Sequence, residues 1–147
     1  SADKVLKRQL SGKLPKIGID TSYRIIDSLA VGKTVNYIDP MLYSLFRPSV
    51  QPYLISWFKH NPQADIKKLN IPILILQGTS DLQVDTTDAI KLHNAAPKSK
   101  MILINGMNHV LRDVGNDKDA NIKSYNDPAM PIDEGLIKDI EEFINSR

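Results

Sequence analysis

Two short turns in this chain carry residue types from which acid–base chemistry could be built. In ILILQGTSDLQV, residues 73–84, an apolar run breaks at Gly78-Thr79-Ser80 and delivers Asp81. In MILINGMNHVL, residues 101–111, a second apolar run breaks at Asn105-Gly106 and delivers His109. A carboxylate bonded to one ring nitrogen of a histidine selects the tautomer and stabilises the imidazolium. The other nitrogen is then free to act as a general base. Gly, Ser and Asp are equally the ordinary residues of turns, so each turn taken alone has a plain structural explanation. What joins the two is the position of the elements that carry them.

Ile73, Leu74, Ile75 and Leu76 are apolar without alternation, as are Met101 to Ile104, which is the pattern of strands buried on both faces. Between them, Asp85 and Thr86 open a helix that runs to about Ala96 and stops at Pro97. A strand, a helix and a strand in this order form a βαβ unit, so the strands should be parallel with a right-handed crossover. Parallel strands present their C-terminal ends on one edge, where open α/β sheets place their sites. Neighbouring strands stand ~4.8 Å apart, close enough for Asp81 to reach His109. Asp85 and Asp88 fit capping and the helix dipole better than catalysis. His60 falls at the end of a helical segment, where the dipole favours it. His93 lies beside the face of Ala89, Leu92 and Ala96, as a packing residue would. Three scattered histidines without close carboxylate pairs do not suggest a metal site, and no cofactor is expected.

The preceding residues, 1–60, read as helical, with no credible strand. Val5, Leu6 and Leu10 have helical spacing up to Gly12, and Asp20 is placed to cap a second helix carrying Tyr23, Ile25, Ile26 and Leu29 and ending at Gly32. Asp39-Pro40 opens the segment MLYSLF, VQPYLISWFKH forms a further helix, and Asn61-Pro62 begins a short one. Tyr43, Phe46, Trp57 and Phe58 could line an apolar acyl pocket, although aromatics at helical spacing more often belong to a core. Beyond His109, a polar helix over roughly 117–125 precedes a last helix capped by Asp133. There Ile132 and Ile137 can form a hydrophobic staple, and Leu136, Ile140, Phe143 and Ile144 share a face.

A chain of 147 residues suits one domain with its own core. Hydrophobic residues make up 41% and charged residues 24%, an ordinary globular composition. With 19 basic and 17 acidic residues the net charge is +2, which offers no electrostatic reason to invoke nucleic acid. Lys67-Lys68 and Lys98 to Lys100 are short clusters of the solvated kind. There is no cysteine, so thiol chemistry is excluded while the compartment, cytoplasmic or exported, stays open. No run approaches the ~20 apolar residues of a membrane span, and no stretch has a signal-peptide pattern.

At IPILILQGTSDLQV, followed by a helix and then SKMILINGMNHVL, the chain resembles the end of the α/β-hydrolase fold, in serine hydrolases of the esterase, lipase and peptidase kind. In that family an acid follows a late strand in a G-x-x-D turn, matched here by Gly78 to Asp81. A histidine follows the last strand in a G-x-x-H turn, matched by Gly106 to His109. The order of acid before histidine, 28 residues apart, also fits. The resemblance implies a helical lid or cap segment over 1–48, with RPSVQPYLISWF on the return from it. It also implies that 49–147 are the C-terminal part of the hydrolase core. Asp81 and His109 would be the acid and base of a Ser-Asp-His triad acting on a small-molecule ester or acyl substrate.

The departures from the family are as informative. No serine stands in G-x-S-x-G, the nucleophile elbow of the fold, and no early Gly-rich loop supplies oxyanion-hole amides. Two strands apolar on both faces also need neighbours. The expectation is therefore a C-terminal fragment of a longer hydrolase, inactive alone, with Ser1 at the start of the lid. Its partner would be the missing N-terminal half, or a second copy held through the exposed sheet edge. The alternative is a non-catalytic α/β-hydrolase-fold interaction or scaffold protein.

Overall fold

A computed structural model describes residues 2–146. The chain falls into two compact units, Ser1–Asp65 and Ile66–Arg147. Together they give a mixed α/β composition: helices throughout, and a two-stranded parallel sheet in the second unit. The expected lid and core, divided at 48/49, concern function, a separate matter from this grouping by contacts.

The first unit is helical, as its residue spacing requires: α1 (Ala2–Leu10), α2 (Lys16–Ala30), a 3₁₀ turn (Pro40–Leu42), α3 (Tyr43–Phe46) and α4 (Gln51–Phe58). Asp20 does not cap α2. The helix begins at Lys16 after Pro15, one turn before the expected start, because Ile17, Gly18 and Ile19 continue the helix upstream without a break. Gly32 ends this segment at φ +82°, a left-handed conformation that costs glycine little. Asp39 accepts from the amide of Met41 at 2.8 Å and Pro40 follows, the expected start signal. Ile26, Leu29, Leu42 and Phe46 are fully buried in one cluster with Leu54 and Phe58. Gln51 is buried among them. Its Oε1 accepts from the Val35 amide at 2.8 Å, and its Nε2 donates to the carbonyls of Val35 and Phe46, each at 2.9 Å. The polar group is thereby satisfied, as burial demands. The four aromatics divide: Phe46 and Phe58 are core, while Tyr43 and Trp57 are exposed.

A short helix, α5 (Pro62–Ile66), leads into the second unit, which contains β1 (Leu74–Gly78), α6 (Thr86–Ala95), β2 (Lys100–Ile104), α7 (Lys118–Ser124) and α8 (Glu134–Asn145). The strands pair parallel in the register Leu74↔Lys100 through Gly78↔Ile104. Asp85 caps α6 through the Thr87 amide, Asp117 caps α7, and Asp133 caps α8 through the Leu136 amide. Both strands were expected to be buried on both faces. Instead Leu103 is 41% exposed and only Ile75, Gly78 and Ile104 are buried. The physical reason is the number of layers: among the described residues no third strand extends the sheet. On α8, Leu136 packs with Ile104 and Met107, but Ile140 and Ile144 remain exposed.

Candidate functional site

β1 and β2 end together, and the two turns that follow are stitched to each other. The Thr79 amide donates to the Ile104 carbonyl, the Ser80 amide to the Met107 carbonyl, and the Gly106 amide to Thr79 Oγ1, each at 3.0 Å. After Gly106, residues 106–114 fold back as a small hairpin. The Val114 amide donates to Gly106 and the Asn108 amide to Arg112, and the Leu111 amide closes the turn on Asn108. Leu111 sits at φ +62°, an uncommon conformation for a residue with a side chain. His109 occupies the tip of this turn, so its ring is carried on backbone held at both ends.

There the sequence-derived pair meets. Asp81 Oδ2 lies 3.0 Å from His109 Nδ1. Asp81 Oδ1 accepts from the amides of Gln83 at 2.8 Å and Val84 at 2.9 Å, while Gln77 Nε2 donates to Oδ2 at 3.2 Å. The Asp81 side chain is only 7% exposed. Burial raises its pKa, but donation from Val84, Gln83, His109 and Gln77 together outweighs burial and leaves the carboxyl below its ordinary value. Asp81 is therefore a carboxylate at neutral pH and can only accept, so Nδ1 of His109 must be the donor. Nε2 is left as the basic nitrogen, on a side chain 38% exposed.

The other expected positions lie elsewhere. Asp85 caps α6, and Asp88 pairs with Lys91 at 3.2 Å. His60 stands 3.8 Å from Asp65, and His93 meets the buried Ser99 hydroxyl at 2.9 Å in the last turn of α6. Among the described residues no group of three or more His, Cys, Asp or Glu is placed to hold a metal ion, and no helix is long and apolar enough to cross a membrane. A cleft of about 680 Å³ in the second unit is lined by residues such as Ile66, Ile71, Ala95 and Lys98. These residues precede the strands, so the cleft is at the edge of the sheet opposite Asp81 and His109.

Sequence reasoning missed the residues that fix the two turns. Gln77 reaches forward from β1 to Asp81. Asn108, 1% exposed, donates from Nδ2 to Asn121 and Ser124 and accepts at Oδ1 from the amides of Val110 and Arg112. Asn121 in turn donates to the Ser80 carbonyl. The one sequence signal for Asn108 is its place beside His109. Asn121 and Ser124 lie in a polar helix without any distinguishing pattern.

Compared with models of protein families, with curated proteins and with solved structures, the chain matches none.

Proposed function

We propose that Asp81 and His109 are the acid and base of a serine hydrolase of the α/β-hydrolase kind, acting on carboxylic esters or related acyl substrates. One observation carries this: a buried carboxylate, held by two backbone amides, aligned 3.0 Å from Nδ1 of a partly exposed histidine at the C-terminal edge of parallel strands. In this reading Nε2 removes the proton from a serine hydroxyl as the oxygen attacks the acyl carbon. The imidazolium, stabilised by Asp81, then returns the proton to the leaving alcohol. Water repeats the sequence on the acyl-enzyme and releases the acid. No serine of the 147 residues stands in a nucleophile elbow, so the nucleophile belongs to sequence outside them. That same feature favours the second reading, an interaction or scaffold protein without chemistry.

The test is turnover of an activated ester by the full-length protein that carries this chain, with covalent labelling by a fluorophosphonate. Labelling at a serine together with loss of turnover in His109→Ala supports the hydrolase. A folded full-length protein that neither turns over the ester nor takes the label removes it in favour of the scaffold.

A further inference from the structure

The residues immediately before Asp81 and His109 are tied to each other by side chains buried beneath the site. Ser80 presents its carbonyl to Asn121 Nδ2 at 2.7 Å. Asn121 Oδ1 accepts from Asn108 Nδ2 at 3.1 Å, and the same Nδ2 donates to Ser124 Oγ at 2.7 Å. Ser124 Oγ donates in turn to the Asn121 backbone carbonyl at 2.7 Å. Asn108 Oδ1 receives the amides of Val110 at 3.1 Å and Arg112 at 3.0 Å, both just beyond His109. Both donors and the acceptor of the Asn108 amide are therefore used, and Asn108, Asn121 and Ser124 are 1%, 3% and 5% exposed. A half-satisfied network at this depth would be costly, whereas a satisfied one is rigid and specifies a single geometry. The Ser80 hydroxyl adds a further bond, to the Gly115 carbonyl.

From this we infer that Asn108 and Asn121 are positioning residues: through α7 they lock the turn bearing Asp81 to the turn bearing His109 and so set the Nδ1–Oδ2 alignment. Neither amide touches the reacting groups: Asn121 holds the carbonyl of the residue before Asp81, and Asn108, itself the residue before His109, holds the amides of Val110 and Arg112 beyond it. Asp81 and His109 lie 28 residues apart in sequence on two different turns, and a shift of either turn by an ångström would break a 3.0 Å bond. Asn121 is the informative member because, of the three buried side chains, it is the one that reaches Ser80, whose amide and hydroxyl also bond the carbonyls of Met107 and Gly115 directly. The inference rests on Asp81 and His109 forming a functional acid–base pair, and it is tested at the pair itself as well as through turnover.

The experiment is nitrogen-15 NMR of the histidine-labelled full-length protein, with Asn121→Leu, Asn121→Ala and, as a control distant from both turns, Ala89→Gly. Wild type and control should show a His109 ring with Nδ1 protonated, Nε2 bare and a protected Nδ1–H proton. Folded Asn121 variants should lose that protected proton and shift the neutral ring toward the Nε2–H form. Their kcat on an activated ester should fall about 100-fold with KM unchanged, as expected for a small misplacement of a catalytic group. A folded Asn121 variant with an unaltered His109 spectrum overturns the inference, and so does a control that loses the protected proton too. If both Asn121 variants fail to fold while Ala89→Gly folds, the network is a stability element and the inference falls. A changed His109 spectrum in a protein without serine-dependent turnover removes the hydrolase proposal and leaves the positioning role standing.

Discussion

Gly78 and Met107 approach each other so closely that a Cβ on Gly78 would lie 2.0 Å from the Met107 carbonyl oxygen and 2.6 Å from its carbonyl carbon. The contact is backbone against the absent side chain, and it occurs where the Asp81 turn crosses the His109 turn. Neither partner is a flexible side-chain end, so nothing local can yield. Gly78→Ala should cost about 3 kcal/mol or more, at the upper end of overpacking effects, and should separate the two turns. By contrast, a Cβ on Gly12 meets nothing within 4 Å, and Gly12→Ala should stabilise by about 0.4–1 kcal/mol. Urea denaturation of both variants checks the opposite signs.

In the full-length protein, Asp81→Asn should lower turnover of an activated ester by up to ~10⁴-fold, the scale seen when a triad aspartate is made neutral and the histidine tautomer is lost. Asp85→Asn and Asp88→Asn should leave the rate within about twofold, because asparagine remains a good cap and neither residue meets His109. The three rates, measured side by side, decide the assignment of the acid: an inactive Asp88→Asn beside an active Asp81→Asn would reverse it.

Asp81 also predicts a pH dependence of stability. Its folded-state pKa lies below the ordinary 3.8, so the unfolded chain takes up this proton first as the solution is acidified. The stabilisation from the ionised carboxylate is therefore complete well above pH 3.8 and is lost as pH falls through the lower folded value. Denaturation midpoints of wild type and Asp81→Asn, compared from pH 6 to below 3, should converge at the acid end. A constant gap across the range would contradict the cause assigned to the shift.

Each strand of the two-stranded sheet has one unpaired edge among the described residues, and Leu103 on β2 is 41% exposed. Unpaired edges with apolar neighbours promote association. The isolated 147-residue chain should elute in size-exclusion chromatography with light scattering as species heavier than its 16.5 kDa monomer. Leu103→Lys should shift the population toward monomer. A stable monomer from the unaltered chain would contradict the prediction.

The sequence by itself determined the local features whose causes are local. Two consecutive apolar runs, the start signals at Asp39-Pro40, Asp85 and Asp133, and the glycine stop at Gly32 all act within a few residues. The structure has an element at each. The βαβ order determined parallel strands, and with them the meeting of Asp81 and His109, because that topology leaves the two turns on one edge. Where α2 began was less legible, since a capping residue inside a continuing helical pattern competes with an equally good start one turn upstream. Tertiary structure alone decided which aromatics are core, how much of each strand face is covered, and which buried side chains hold the turns. Asn121 illustrates the reason. Its residue type is common in an exposed helix, and its partners, Ser80 and Asn108, are 41 and 13 residues away. Only packing α7 beneath both turns buries these amides, and there their hydrogen bonds link Ser80, before Asp81, to Asn108, before His109.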